Sequence, residues 1–385
     1  MNLRIGVDAT SIVGGGGLTH LKQFLTSYLK DNLQPTFKIY IYSSKKILNN
    51  LPDHPNFLKR NSIFLDKSRY HRIFFQTFLF DKILKKECDI LFSVTGDYIG
   101  SFRPYVGMSQ NMMLYEREFW KEIKSIKEKT KLYFNFKRQQ KCFQNAEGII
   151  FLSKYAKNHI RKSLKLKDKN TVIIHHGISN QFISKNNEHK SLENYSQKSP
   201  FHFIYISTVH VYKNQWNVVE AISRLREKGY PVRLTLIGDV IYKPSGHLLK
   251  KVIENVDPKH EFIEHILNVP YSKIADYYTS HDGIIFASSC ENMPNILLES
   301  MGAAKPIACS DKMPMNEFLK EGGIYFNASS VNSIFEVLEK MLNSLKSFGV
   351  LNHRNKEELK KYTWNKNSSE TFKFLINTLK SYNNV

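Results

Sequence analysis

Two glutamates enclose a short apolar stretch in the last third of the chain. Glu291 and Glu299 are separated by seven residues in the run ENMPNILLE. Pro294 suits the first turn of a helix, where its missing N–H costs nothing, so the pattern predicts that a helix begins between residues 293 and 295. The two carboxylates could accept hydrogen bonds from sugar hydroxyls. The spacing alone would equally fit one residue that favours the helix dipole and one solvated glutamate.

The beginning of this predicted helix could also bind an anion. The run DGIIFAS, residues 282–288, precedes it and predicts a buried strand. A helix that follows such a strand presents its first N–H groups at the carboxyl edge of a parallel sheet, which favours a diphosphate. Glu291 would then hold a sugar and Glu299 a ribose. The backbone around Ile296 and Leu297 is expected to assist at the phosphates, and Asn295 is a further donor-binding candidate.

Lys213 lies in a second stretch with a strand, a loop and a helix, STVHVYKNQWNVVEAI, residues 207–222. The strand is expected to end at Thr208 and the helix to begin near Asn214, which places Lys213 at the helix mouth. An ammonium group there could neutralise a departing diphosphate. A lysine in a loop is, on its own, more often a surface residue.

Four glycines, Gly14, Gly15, Gly16 and Gly17, follow the first predicted strand. Such a loop lets the backbone approach a ligand closely. Its spacing is not that of a dinucleotide fingerprint, and no acidic residue follows the second strand in the corresponding position, so no NAD-like cofactor is expected. A helix is predicted over residues 18–30, with His20 just inside it, either near the ligand or as a packing residue.

Short apolar strands alternate with helices along both halves of the chain, which predicts two parallel α/β sheets. We predict Rossmann-like domains over residues 1–195 and 196–362, with the polar stretch 184–200 as the linker. A last helix over 363–385 would pack back across the cleft between the domains or cover the second sheet. The predicted strands are 3–9, 37–43, 89–94, 104–109, 147–153 and 171–177, then 201–208, 232–239, 282–288, 306–310 and 323–327.

Positive charge is concentrated in the first half. Residues 1–195 hold 33 Lys and Arg against 16 Asp and Glu, a net charge of +17, whereas the remaining residues hold 23 against 19, a net charge of +4. The segments 67–86 and 119–141 mix basic and aromatic residues. They suit an anionic membrane surface or single-stranded nucleic acid. A generally lysine-rich composition, with ordinary helices solvated on one face, is the alternative.

Cysteine usage and hydropathy restrict the class of protein. The four cysteines, Cys88, Cys142, Cys290 and Cys309, form no CxxC pair, so neither a disulfide framework nor a zinc site is expected and a reducing cytoplasm fits. The N-terminus predicts a strand rather than a signal peptide. No apolar run approaches the ~20 residues that span a bilayer. We therefore expect a soluble or peripheral membrane protein.

The stretch ENMPNILLESMGAAKPI resembles the signature of retaining glycosyltransferase family 4, E-(seven residues)-E-A-M-A-x-G-x-P-V. Ser300 and Ala304 depart from it. The resemblance implies the GT-B fold, in which two Rossmann-like domains face each other across a central cleft and the second holds a nucleotide-sugar donor. It implies that Gly15, Gly16 and Gly17 line this cleft. The region around Lys213 resembles the family's phosphate clamp, but Thr208 stands in place of its arginine, so a clamp of two cations is in doubt.

The stretch PYVGMSQNMMLYERE, residues 104–118, carries the remaining candidates. Many members of the family have a histidine near the transferred sugar where this chain has Gln110. A glutamine cannot act as a general base, so Gln110 would orient the sugar or stabilise charge at the anomeric carbon. Asn111 and Glu116 are secondary candidates.

The sequence and the resemblance together predict a retaining glycosyltransferase that needs neither a metal nor a cofactor. Its donor would be a nucleoside-diphosphate sugar and its acceptor a lipid-linked saccharide of bacterial surface polysaccharide, such as O-antigen or capsule, at the inner face of the plasma membrane. Glu291, Lys213 and Gln110 would be catalytic. The alternatives are another GT-B enzyme, such as a nucleotide-sugar epimerase, and a basic nucleic-acid-binding protein. For the predicted glycosyltransferase, no nucleic-acid partner is expected.

Overall fold

The structure is a computed structural model that describes residues 3–30, 37–166, 169–184 and 191–384. The chain divides into two compact units. The first comprises Met1–Glu116, Lys124–Gly177 and Tyr362–Val385, and the second comprises Arg117–Ile123 and Ile178–Lys361. These limits differ from the predicted 1–195, 196–362 and 363–385, because contacts change after Gly177 rather than where the composition turns polar. Residues 185–190 of the predicted linker 184–200 lie outside the described residues.

The first unit contains a parallel sheet of seven strands in the order β3-β2-β1-β4-β5-β6-β7. The order reverses between β1 and β4, which makes their carboxyl ends a topological switch point. The predicted strands are confirmed, except that β3 was not foreseen. It is a four-residue edge strand with two basic residues. The strands are β1 (Arg4–Asp8), β2 (Lys38–Tyr42), β3 (Phe57–Arg60), β4 (Ile90–Ser93), β5 (Tyr105–Met108), β6 (Gly148–Phe151) and β7 (Asn170–Ile173).

The second unit contains a parallel sheet of six strands in the order β10-β9-β8-β11-β12-β13. This is the strand order of a Rossmann sheet, and its switch point lies between β8 and β11. The predicted α/β class with two Rossmann-like sheets is confirmed. The edge strand β10 was not foreseen. The strands are β8 (Phe201–Ile206), β9 (Val232–Ile237), β10 (Ile263–Ile266), β11 (Gly283–Phe286), β12 (Ile307–Ser310) and β13 (Ile324–Phe326).

Helices connect the strands of both sheets, as crossovers between parallel strands require. A π-helical turn, Phe75–Leu79, joins α4 to α5. The helices are α1 (Gly15–Lys30), α2 (Lys45–Leu48), α3 (Ile63–Asp66), α4 (Arg69–Phe74), α5 (Phe80–Glu87), α6 (Arg117–Glu122), α7 (Ile126–Asn145), α8 (Lys154–Leu164), α9 (Gln215–Glu227), α10 (Lys243–Val256), α11 (Ile274–Ser280), α12 (Asn295–Gly302), α13 (Met315–Leu319), α14 (Val331–Asn343), α15 (Phe348–Leu359) and α16 (Trp364–Asn383).

The last helix, α16, packs within the first unit rather than on the second sheet. The ring of Phe372 lies 4.8 Å from that of Phe24 on α1 and 4.8 Å from that of Tyr28, measured between centroids. Phe372 is buried, and so is Leu375 one turn later. The apolar residues whose pattern predicted this helix therefore form the face that covers α1. None of the helices in the described ranges is long and apolar enough to cross a membrane.

Candidate active site

The candidate site of the second unit is formed by the loops that follow β8 and β11. These two strands are neighbours in the sheet, and ligands of open α/β sheets bind outside the carboxyl ends of such a pair. The loop after β8 ends in a short 3-10 turn, Val211–Lys213. The loop after β11 leads into α12. The sequence predicted both loops as ligand-binding segments.

Hydrogen bonds join the two loops directly. Asn214 adopts a left-handed conformation with φ of 53°, which asparagine tolerates better than most residues. Its side-chain amide donates to the carbonyl of Ala287 at 2.9 Å. The backbone N–H of Ser289 donates to the carbonyl of Tyr212 at 2.8 Å. These bonds hold the end of the first loop against the beginning of the second.

Lys213 and Glu291, one from each loop, form a buried ion pair. The Nζ of Lys213 lies 2.5 Å from Oε1 of Glu291, and the two side chains are 6% and 17% exposed. The hydroxyl of Ser288 donates to the same oxygen at 2.6 Å. The ammonium also lies 4.8 Å from the centroid of the Tyr212 ring, within cation–π range. Burial lowers the pKa of Lys213, but the carboxylate of Glu291 outweighs it and the net shift is upward, so the lysine remains a cation.

The helix predicted after this loop is confirmed. It begins at Asn295, directly after Pro294, with Ile296 and Leu297 in its first turn. N–H groups of a first turn have no acceptor within their own helix, so they are suited to an anion. The roles assigned to these residues at a phosphate stay predictions.

Glu299 lies in α12 about 6 Å along the helix axis from Asn295, and it is buried. The hydroxyl of Tyr271 donates to its Oε1 at 2.6 Å. Burial raises the pKa of Glu299 to about 7, although the hydrogen bond from Tyr271 acts in the opposite direction. Glu299 is thus a carboxyl group that titrates near neutral pH. Glu299 is paired with Tyr271, whereas Glu291 is paired with Lys213. The two glutamates lie on either side of the start of α12.

Thr208, at the predicted arginine position, lies near the start of the loop that follows β8. Its carbonyl accepts a hydrogen bond from the side-chain amide of Gln215 at 3.0 Å. The neighbouring backbone approaches very closely, because a Cβ on Gly238 would lie 2.2 Å from the carbonyl oxygen of Ser207. Gly238 also has φ of 143°. The edge of the sheet beside Thr208 therefore requires glycine at position 238.

The candidates in the first unit gather at the carboxyl edge of the first sheet. The helix α1 begins at Gly15, so Gly15, Gly16 and Gly17 form its first turn, whereas the helix was expected to begin at residue 18. Glycine can open a helix because it tolerates the φ of 61° found at Gly15. A Cβ on Gly15 or Gly16 would meet no described atom within 4 Å, so this turn borders open space.

His20 and Gln110 are brought together. The side-chain nitrogen of Gln110 lies 3.4 Å from Nδ1 of His20 and donates to the carbonyl of Val94 at 2.9 Å. His20 is buried, its ring is stacked on that of His176 with centroids 4.5 Å apart, and burial lowers the pKa of His20 well below its usual value. His20 is therefore a neutral imidazole packed in the unit's interior.

The other candidates near Gln110 make local contacts. The side-chain oxygen of Asn111 accepts a hydrogen bond from the backbone N–H of Met113 at 3.0 Å, which is a turn contact. Glu116 accepts a hydrogen bond from the hydroxyl of Tyr155. In the described ranges, no group of three or more His, Cys, Asp or Glu side chains is placed to hold a metal ion.

Sequence reasoning missed several residues of the site. Ser288 could have been suspected, because a hydroxyl at the end of a strand next to a ligand loop often orients a carboxylate. Tyr271 and Gly238 gave no local signal, since each acts on a residue far away in the sequence. Asn214 and Tyr212 were within the quoted motif, but the contacts of the Asn214 side chain and the Tyr212 carbonyl with the second loop depend on the pairing of β8 with β11.

Comparisons with known proteins agree with this geometry. Residues 184–361 match the family model described as glycosyl transferases group 1. The chain is 23% identical over 226 residues to an uncharacterized glycosyltransferase of Methanocaldococcus jannaschii, and this match spans 58% of the chain and 57% of that relative. It therefore covers little more than half the length of the curated relative.

Solved structures share the fold over nearly the whole chain. Sucrose-phosphate synthase from Thermosynechococcus elongatus superimposes with a TM-score of 0.76 at 12% identity, covering 99% of this chain and 100% of that one. Anabaena HepE in complex with UDP-glucose gives 0.69 at 12% identity, with coverage of 96% and 98%. WaaG, a glycosyltransferase involved in lipopolysaccharide biosynthesis, gives 0.66 at 13% identity, with coverage of 95% and 98%. Residues 184–361 thus match the group 1 glycosyl transferase model, and the chain shares the two-sheet GT-B fold of these solved structures.

Proposed function

We propose that this protein is a retaining, metal-independent glycosyltransferase. It moves a hexose or N-acetylhexosamine from a nucleoside-diphosphate sugar to a lipid-linked saccharide of bacterial surface polysaccharide. The observation that carries the proposal is the buried Lys213–Glu291 pair, which joins the loops after β8 and β11 beside the start of α12. A fixed cation, a fixed carboxylate and a helix N-terminus therefore lie together at the switch point between β8 and β11. These are the groups that a sugar diphosphate requires.

Lys213 would hold the donor diphosphate. Its ammonium has three N–H donors and uses one on Glu291, so the others can meet phosphate oxygens. Because the lysine is held in place before the reaction, its charge can stabilise the leaving nucleotide without reorganisation. Ile296 and Leu297 would add their backbone N–H groups, and together these groups would supply the positive charge that a divalent metal supplies in other enzymes.

The two glutamates would bind the hydroxyl groups of the donor. Glu291 is held by Lys213 and Ser288 through one oxygen, Oε1, and its second oxygen would accept from hydroxyls of the transferred sugar. Glu299 would accept from the ribose, in competition with Tyr271. The UDP-glucose complex of the similar HepE structure supports a sugar nucleotide as the donor class.

The surface of the first unit supports a lipid-linked acceptor. Tyr70, Phe74 and Phe78 recur every fourth residue on α4 and the π turn, and they are 83%, 45% and 62% exposed. We call these three residues the aromatic stripe. The side chain of Arg69 beside it donates to Asn135 on α7 at 2.7 Å, so the two helices are neighbours. Exposed large apolar residues also occur on α7, at Ile126, Tyr133 and Phe134.

The charge of this surface supports binding to an anionic bilayer. Residues 63–79 and 126–141 together contain nine Lys and Arg but two Asp and Glu. Aromatic side chains settle at the headgroup level of a membrane, and basic residues near them are attracted to anionic lipids. Binding to the inner face of the plasma membrane would bring the enzyme to a lipid-linked substrate. The similar WaaG acts in lipopolysaccharide biosynthesis, which supports an acceptor of this kind.

The test is a ligand panel followed by product analysis. UDP-, GDP- and dTDP-sugars are added to the full-length protein, and the melting temperature is recorded, because a ligand that binds only the folded state raises it. We expect one nucleotide class to stabilise the native protein and none to stabilise Lys213→Ala as strongly. Conversion of the stabilising donor into an isomer without acceptor would instead show an epimerase. An unchanged melting temperature with every donor would contradict the proposal.

Retention and metal independence have their own readouts. With membrane lipid extracts as acceptor, the anomeric configuration of the new linkage is read by NMR and compared with that of the donor. Turnover is then repeated after EDTA treatment. Inversion at the anomeric carbon, or activity that returns only when a divalent cation is added back, would refute the corresponding part.

A further inference from the structure

We propose that a cavity in the first unit, at the carboxyl ends of β2 and β3, binds a neutral saccharide unit of the acceptor. The cavity has a volume of about 520 Å³, within the range of small-molecule sites. Its walls include Tyr42, Arg60, Ser62, Phe75, Lys82 and Glu87. The inference rests on the proposed glycosyltransferase function and names a binding site for its second substrate.

The position of the cavity fits an acceptor. Tyr42 is the last residue of β2 and Arg60 the last residue of β3, so the cavity opens at the same edge of the sheet as the glycine turn after β1. Because neighbouring strands lie about 5 Å apart, one or two strand spacings separate the cavity from the end of β1. A saccharide chain of two or three rings could extend over this distance.

The chemistry of the walls fits the hydroxyl groups of a sugar. Arg60 and Glu87 form an ion pair with Nε 3.1 Å from Oε1, and the hydroxyl of Tyr42 donates to the other oxygen of Glu87 at 2.8 Å. The cavity therefore presents a carboxylate and a guanidinium that hold each other in place. The carboxylate can accept hydrogen bonds from sugar hydroxyls, and the guanidinium can donate to them. Leu79 and Ile83, which also line the cavity and are partly exposed, supply an apolar wall for the C–H face of a ring.

The π-helical turn links this cavity to the membrane surface described above. Phe75 and Leu79 line the cavity, whereas Phe74 and Phe78 from the same stretch are exposed as part of the aromatic stripe. A π turn changes the angular position of successive side chains, and such turns recur at functional sites. One short segment thus has a saccharide-binding face and a lipid-facing side. A saccharide linked to a lipid would require both.

Binding is tested directly on the full-length protein, without relying on catalysis. The protein is applied to a glycan array of bacterial saccharides, and positive glycans are measured in solution by saturation-transfer NMR. The variant Ser62→Trp places a large ring in the cavity at a half-buried position whose side chain caps no helix. The matched control is Ser163→Trp, an exposed position on α8 beyond the opposite half of the sheet. Lys82→Ala is a surface change that should leave folding intact.

We expect native protein and Ser163→Trp to bind the same neutral glycans. Ser62→Trp should weaken this binding at least tenfold and Lys82→Ala less, with the donor-induced rise in melting temperature unchanged in both. Glycan binding that survives in Ser62→Trp would overturn the assignment, as would binding restricted to phosphorylated glycans or no binding to any glycan. Failure of the donor panel with intact glycan binding would refute the glycosyltransferase proposal and leave the cavity as a saccharide site.

Discussion

Glu299 gives the most quantitative prediction. Burial raises the pKa of its carboxyl group from the ordinary 4.5 to about 7 in the folded protein. Between these two values the folded state holds a proton that the unfolded chain has lost. The free energy of unfolding must therefore fall as the pH rises through this window. A shift of this size corresponds to about 3 kcal/mol lost between pH 4.5 and pH 8.

Glu299→Gln isolates this effect, because the amide has the same shape and cannot ionise. The variant can still accept the hydrogen bond from Tyr271. We expect its stability relative to the native protein to rise by about 3 kcal/mol between acid and mildly basic pH, or roughly 6–12 °C in melting temperature for a unit of this size. Thermal unfolding of both proteins is recorded across the range. A difference between them that does not change with pH would refute the assignment of a raised pKa.

The same titration controls donor binding if Glu299 accepts hydrogen bonds from ribose hydroxyls. The ionised form is then the form that binds, so the affinity for a sugar nucleotide should fall about tenfold between pH 8 and pH 6. A sugar nucleotide is the suitable probe because its diphosphate does not titrate in this range, unlike a free nucleotide. Isothermal calorimetry in two buffers of different ionisation enthalpy counts the released proton. Glu299→Gln should bind more weakly and without pH dependence, and affinity that increases toward acid pH would contradict the ribose role.

Three further predictions concern other parts of the chain. Lys213→Ala leaves the carboxylate of Glu291 buried without its cation and should lower the free energy of unfolding by about 3–5 kcal/mol. The double variant Lys213→Ala with Glu291→Ala should recover part of this, and chemical denaturation that shows simple addition would refute the coupling. Replacing Tyr70, Phe74 and Phe78 by Ser should abolish cosedimentation with anionic vesicles, whereas Tyr382→Ser, at a tyrosine of α16 that is 43% exposed, should not. Unchanged sedimentation of the triple variant, or native protein that binds single-stranded nucleic acid but no vesicles, would count against the membrane surface. Gly238→Ala should destabilise the protein by at least about 2 kcal/mol. Gly229→Ala, at a φ of 95° with nothing within 4 Å of its Cβ, should cost only about 1 kcal/mol by the same unfolding assay. Equal effects of the two glycine variants would refute the close approach at Ser207.

The sequence predicted the strands of both sheets well where they are apolar and central. It missed β3 and β10, because each is a four-residue edge strand that contains charged residues and so lacks a clear apolar pattern. It placed the start of α12 correctly because Pro294 marks that position. It placed the start of α1 three residues too late, since a run of glycines does not distinguish a loop from a first helical turn.

The site could be predicted only in part, because its contacts join residues that are far apart in the sequence. Lys213 was expected at the diphosphate and Glu291 at the sugar, but nothing in the sequence shows that they pair with each other, since 77 residues lie between them. The raised pKa of Glu299 depends on burial and on Tyr271, which belongs to another element. The sequence left His20 as either a ligand-facing or a packing residue. The structure shows its ring stacked on that of His176, a contact that no local pattern indicates.

The hydrogen bonds from Asn214 to Ala287 and from Ser289 to Tyr212 have a practical consequence for engineering. Loop grafting replaces one segment of a protein by the corresponding segment of a homologue. Here a graft of either segment alone would separate it from the loop with which it forms these hydrogen bonds. The grafted loop would then lose the conformation that the bonds maintain. Chimeras should therefore exchange residues 207–215 and 287–295 as one cassette, and libraries that randomise them separately will contain mostly misassembled members.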